Sequence, residues 1–163
     1  MAQSMQEEQF AEEDTQKGKY LTFSLDYEFF GIEIKHVTEI IGVQTITVVP
    51  EMPDYIRGII NLRGKIIPVM DVRLRFRKPY REYNDRTCVI VVELREISIG
   101  LIVDRVSEVI SIPDSEIVAP PDMNNSGHTF IKGVGKVGTE VKLILDCDKL
   151  ISHEDTEQLA AIE

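Results

Sequence analysis

The sequence predicts an all-β fold made of two small closed barrels related by a pseudo-twofold, and three observations carry that prediction. Residues 31–41, GIEIKHVTEII, align without gaps on residues 100–110, GLIVDRVSEVI, so that Gly31, Val37, Glu39 and Ile41 match Gly100, Val106, Glu108 and Ile110. Residues 55–76 align in the same way on residues 130–151, where Ile56, Gly58 and Asp71 match Ile131, Gly133 and Asp146. Each half also reads as roughly five short strands, and sheets of that size need a second apolar surface to be stable. The register between the repeats changes along the chain because the second copy carries a longer loop in PPDMNNSGH, rich in Pro, Asn and Gly.

The elements follow in order. Leu21, Phe23 and Leu25 alternate with Thr22, Ser24 and Asp26, the period of a half-buried strand. Asp26-Tyr27-Glu28 is a turn, and the next strand is centred on Phe30, Ile32 and Ile34. Lys35-His36-Val37 makes one helical turn before the β-branched stretch from Thr38 to Val49, which Gly42 bends and Pro50 and Pro53 end. Ile56–Leu62 and Ile66–Met70 flank Arg63-Gly64, a hairpin whose glycine supplies the turn. Asp71 caps a short helix through Leu74 and Phe76. These boundaries give one subdomain over residues 18–76, a linker over 77–86 and a second subdomain over 87–151.

Charge sets the ends apart. Residues 1–17 hold five acids against one lysine and are expected to form a disordered acidic tail; residues 152–163 hold four acids and no Lys or Arg. The latter segment is read as a short terminal helix with Leu159, Ala160 and Ile162 inward. No apolar run reaches the roughly 20 residues of a bilayer-spanning helix, and the N-terminus has no basic, apolar leader. A cytoplasmic protein with no membrane insertion is expected. Cys88 and Cys147 sit in apolar stretches and read as reduced core thiols. Between Arg57 and Arg86, nine Lys/Arg stand against three acids, densest from Arg73 to Arg81. That run is either a solvated face or an anion-binding surface. Nucleic acid is disfavoured as a partner by the net charge of −10.

Reaction-centre motifs fail on their context. Gly133–Gly138 fits G-x-G-x-x-G, but a strand pattern follows it where a helix N-terminus is required. Asp146 and Asp148 could suggest a metal pair, yet Asp146 repeats Asp71 at a strand-to-helix junction, where a cap explains both. His36, His128 and His153 have no ligand spacing, and no nucleophile has a neighbouring base. Neither enzyme activity, nor a metal, nor a cofactor is expected.

Ile56-Arg57-Gly58-Ile59-Ile60-Asn61-Leu62-Arg63-Gly64 followed by Ile66-Ile67-Pro68-Val69-Met70-Asp71 resembles the signature of the CheW family of chemotaxis coupling proteins. FFGIEIKHVTEIIG and Gly100-Leu101-Ile102-Val103-Asp104 are similar to the family too, so that the resemblance covers about residues 18–151. It implies two five-stranded SH3-like barrels sharing a hydrophobic core. It also implies a non-enzymatic adaptor that bridges the histidine kinase CheA, through its CheW-like regulatory domain, to the cytoplasmic tips of methyl-accepting chemoreceptors in membrane arrays. Carried over residue by residue, the family's receptor-binding positions are Val37, Glu39, Gly58, Arg63 and Val109, and its kinase-binding positions are Asp122 and Met123. Val118 stands where a basic residue can occur in the family. From residues alone, Arg63 reads first as a solvated turn residue, Val37 and Val109 equally as core, and the recurring Glu39 and Glu108 as structural acceptors. Two alternatives remain: an adaptor of the same fold in another chemosensory pathway such as surface motility, or a small barrel binding an anionic ligand through Arg73–Arg81.

Overall fold

Among residues 16–120 and 130–160, which the computed structural model describes, eleven strands make two sheets. In chain order they are β1 (Lys19–Leu25), β2 (Glu28–Glu33), β3 (Val37–Gly42), β4 (Ile56–Leu62), β5 (Lys65–Asp71), β6 (Cys88–Leu94), β7 (Ile97–Val103), β8 (Arg105–Ser111), β9 (Ile117–Val118), β10 (Ile131–Val137) and β11 (Glu140–Leu145). A six-stranded sheet has the order β8-β1-β2-β11-β10-β9, and a five-stranded sheet the order β3-β6-β7-β5-β4. The repeat maps one order onto the other, strand for strand. Each sheet has one parallel pair at the same place, β2 with β11 and β5 with β7. The two-residue β9 has its counterpart in an isolated bridge from Thr47 to Ile59.

The sheets do not divide at the linker. The first hairpin of each repeat, β1–β2 or β6–β7, leaves its own repeat and pairs with strands of the other. Residues 18–76 and 87–151 are the two sequence repeats, and each sheet draws on both. This exchange also changes the burial of β1. The alternation predicts one wet face, but Thr22 and Ser24 are buried as well, with Thr22 Oγ1 donating to the Glu108 carbonyl at 2.8 Å. β1 is thus buried on both faces from Tyr20 to Leu25.

Tight turns make the hairpins possible. Arg63 and Gly64 both have positive φ, 52° and 87°, and so do Arg95 and Glu96, at 49° and 67°; a two-residue hairpin with matching twist requires this conformation at both positions. Asp71 accepts from the Leu74 amide, and Asp146 from the amides of Asp148 and Lys149, so the two aspartates cap short helices as expected. Their own amides donate to the carbonyls of Tyr55 and Phe130, which are repeat equivalents. The shared core takes Leu21, Phe23, Phe30 and Ile32 from the first repeat, with Ile90, Leu101, Leu145 and Leu150 from the second. Phe23, Phe30, Phe76 and Phe130 form a continuous ring stack through it, each pair 5.4–5.6 Å apart.

The terminal helix His153–Ala160 packs back on this core. Ser152 and Asp155 form a reciprocal cap, Asp155 N–H donating to Ser152 Oγ and Ser152 N–H to Asp155 Oδ2. Leu159 is fully buried while Ala160 is exposed, so the anchor is Leu159 alone among the described pair; Ile162 lies outside the described residues, as do residues 1–15 of the acidic N-terminal tail.

Candidate protein-interaction site

β3 and β4 are the two edges of the five-stranded sheet, yet Glu39 on β3 meets Arg63 at the end of β4. Arg63 Nη2 donates to both carboxylate oxygens of Glu39, at 2.7 and 2.5 Å. The sheet therefore curls until its ends touch, and this pair sits over the closure. Thr47 completes it below, exchanging backbone hydrogen bonds of 2.9 Å with Ile59 on β4. Arg63 is held on a left-handed turn residue, with its side chain 71% exposed, so its remaining guanidinium N–H groups face solvent. Asn61 fixes the turn by accepting from the Gly64 amide at 2.8 Å. An exposed charge, presented from a rigid hairpin and already aligned by a carboxylate, suits exchange onto a partner's carboxylates. The internal pair contributes about 0.2–1 kcal/mol and is easily traded.

Gly58 supports this arrangement from within. It is buried, with φ at 144°, and a Cβ there would lie 2.1 Å from the Thr47 carbonyl oxygen. Only glycine lets the chain after β3 lie on β4 and close the sheet. Gly133 does the same in the other sheet, where a Cβ would come within 2.7 Å of Ile117. Close packing thus explains Gly133 and Gly135, whose Cβ would lie 2.9 Å from Ile112, and a φ of 61° explains Gly138 in the apparent dinucleotide motif.

Val37 is half-buried and packs on the shared core, whereas Val109 on β8 is 50% exposed, at the edge of the six-stranded sheet. Val37, Glu39, Gly58 and Arg63 thus share one sheet, with Glu39 and Arg63 in contact, and Val109 belongs to the other. Glu108, the repeat equivalent of Glu39, has Gly138 where Arg63 stands, and its main chain bonds with Thr22. The two copies of this corner have diverged. Asp122 and Met123 lie outside the described residues, while Val118, just before them, is 42% exposed.

Much of the basic run is already paired within the chain, while Arg77 and Arg81 stay exposed. Arg73 is 6% exposed; its Nη1 donates to Asp26 at 2.9 Å and Asp104 at 2.7 Å, and its Nε to the Pro79 carbonyl. Arg81 approaches the same two carboxylates, and Lys78 pairs with Glu28. Arg75 lies between the rings of Tyr55 and Phe130, 4.5 and 4.6 Å from their centroids, and donates to the Leu150 carbonyl. The hydrogen bond from Arg73 holds the Asp26 carboxyl below the usual range, and the charges of Arg73, Lys78 and Arg81 add to it. A cleft of about 420 Å³ opens beside this cluster, but Arg73, Asp26 and Asp104 are engaged with one another.

The Asp26–Arg73–Asp104 cluster escapes a motif search, though the repeat holds its signal. Positions 26, 73 and 104 align on 95, 148 and 35, where Arg95, Asp148 and Lys35 carry the opposite charges. Arg95 and Asp148 do pair, at 3.4 Å, so the ion pair is copied with its polarity reversed. Among the described residues no three His, Cys, Asp or Glu side chains gather as a metal site. Burial pushes the Cys147 thiol up to about 12, which keeps it protonated and inert.

Comparison with known proteins adds to this geometry. Residues 19–155 match the CheW-like domain family. Among curated proteins, the chain is 35% identical over 138 residues to the chemotaxis protein CheW of Klebsiella aerogenes, covering 84% of this chain and 83% of that one. It is 34% identical over 145 residues to the chemotaxis protein CheW of Treponema pallidum, covering 86% and 85%. Among solved structures, the scaffolding protein TtCheW of Thermoanaerobacter tengcongensis superposes with a TM-score of 0.78 at 38% identity, covering 85% of this chain and 94% of that one.

Proposed function

This chain belongs to the CheW family and is a chemotaxis adaptor; from that premise we propose that it acts without catalysis, holding a CheA-type histidine kinase against the cytoplasmic tips of methyl-accepting chemoreceptors. The observation that carries the receptor side of this reading is the Arg63–Glu39 pair, exposed on a rigid hairpin at the closure of one sheet. A receptor tip is a helical hairpin, and a helix face docks through apolar anchors with charges at the rim. Arg63 and Glu39 supply the rim, and Val109 an exposed apolar contact. Gly58 and Val37 are positioning residues: the first keeps the hairpin seated, and the second ties β3 to the core. Asp122 and Met123 form the kinase-facing element of the proposal.

No helix among the described residues is long and apolar enough to cross a membrane, so recruitment to a membrane array would come through the receptor. Weak faces are enough there, because tethering raises effective concentration.

Co-sedimentation with a receptor cytoplasmic fragment, with and without the kinase, tests the proposal. A ternary complex that forms only when this chain is present is the expected result. Arg63→His is expected to weaken receptor co-sedimentation about tenfold with the fold intact, as for removal of an interface arginine. Met123→Asp is expected to weaken kinase retention more than receptor retention, and equal loss of both would point to misfolding.

A further inference from the structure

The acidic stretch before Gln16 and a lysine-rimmed groove beside Gln16 are complementary, and we propose that residues 6–15 of this chain dock into that groove. The groove, of about 610 Å³, lies where the chain enters β1, and Gln16, Lys17 and Gly18 line its lip. Lys17, Lys19, Lys35 and Lys132 stand around it against two acids, Glu33 and Asp114. Glu33 is already shared between Lys35 and Lys132. Among the described residues, Lys17 and Lys19 make no ion pair. The groove therefore carries surplus positive charge on a molecule whose net charge is −10.

Its floor is apolar. Ile117 and Ile144 line it, above the smallest of the three core clusters, in which only Tyr20, Ile112 and Ile144 are fully enclosed. A cluster that thin gains from an added apolar cover.

The segment QEEQFAEEDT, residues 6–15, offers both complements. It has Glu7, Glu8, Glu12, Glu13 and Asp14 with no Lys or Arg, and one aromatic, Phe10. Phe10 lies six positions before Gln16, a reach of up to about 20 Å in extended chain. Covalent attachment at the lip makes the docking intramolecular, so weak charge pairs suffice. The acids meet the lysines and Phe10 covers Ile117 and Ile144. This inference is independent of the proposed partners.

Methyl NMR on the full chain tests it. Nuclear Overhauser contacts between the Phe10 ring and the Ile117 and Ile144 methyls are expected at low salt. They should vanish in Phe10→Ala, and weaken severalfold on going from about 0.05 M to about 0.5 M NaCl, where screening shortens steeply. The triple variant Glu12→Gln, Glu13→Gln, Asp14→Asn should reproduce the high-salt result at low salt while keeping Phe10. If those methyls show no contact with Phe10 and do not shift in either variant, the groove is not the segment's seat. A contact that grows with protein concentration would assign the groove to a second copy's segment and overturn the intramolecular docking.

Discussion

Arg73 shows how much of this molecule's charge is structural. Its guanidinium ties Asp26, in the β1–β2 turn, to Asp104, between β7 and β8, and holds the Pro79 carbonyl of the linker. Removing it takes the buried donor from two carboxylates and a carbonyl, leaving Asp104 the Asp26 amide and both carboxylates the more distant Arg81. Because Asp26 keeps part of its solvent contact, Arg73→Leu is expected to cost about 2–3 kcal/mol, below the full cost of breaking a buried pair; urea denaturation measures it. Gly58 makes the converse case, a residue whose importance is the lack of a side chain. With φ at 144° and the Thr47 carbonyl in the way, Gly58→Ala is expected to cost about 2–4 kcal/mol, with receptor binding falling only as the fold does. Among the described residues, His36 makes stability sensitive to mild acid. Burial first, and the charge of Lys35 second, push its imidazole below the ordinary value of 6.5. The unfolded chain therefore takes up its proton at higher pH than the folded one, and stability falls as pH drops below that value. Asp26, also depressed, acts only below its ordinary 3.8. Denaturation midpoints at neutral pH and about one and a half units below should differ, and His36→Gln should narrow the difference. Arg63 was legible in the N-L-R-G hairpin because turn chemistry is local. Its Glu39 partner was named without the contact, because a pairing between opposite sheet edges leaves no trace in sequence spacing.

At the scale of elements, the hairpins, the caps and the single helical turn before β3, a 3-10 turn over Ile34–His36, were legible from sequence, since periodicity, glycine placement and aspartate capping act within a few residues. The exchange of hairpins β1–β2 and β6–β7 was not, because strand order depends on which apolar face is free, and both repeats offer the same one. Reversed polarity at the equivalent positions provides a discriminator. Seated in the wrong sheet, the β1–β2 turn would bring Asp26 to Asp148, and the β6–β7 turn would bring Arg95 to Arg73. Asp26→Arg is thus expected to destabilise more than Asp26→Ala, and Arg95→Asp more than Arg95→Ala; denaturant titration of the four variants decides it. The terminal helix is a further element whose anchor is small. Leu159 is fully enclosed, and Tyr55 Oη donates to Asp155 at 2.7 Å. Leu159→Ala should cost about 2–4 kcal/mol by leaving a cavity.

For the whole molecule, the duplication was plain in the sequence, and with it the two-sheet architecture; the way the copies interlock is what the structure adds. Since each sheet is completed by the other repeat, the chain has no half that folds alone. A single cooperative unfolding transition is expected by both heat and urea. Fragments cut within residues 77–86 should be unstructured singly and regain circular dichroism only when mixed. That interlocking carries a history. One repeat on its own holds every strand type that a sheet requires, but can finish the sheet only by lending its hairpin to a twin and borrowing one back. An unduplicated ancestor would have lived as a reciprocal homodimer, its survival set by its abundance. Fusing the two genes freed it from dilution, and only then could opposite charges accumulate in the paired turns, since identical subunits can never differ from each other.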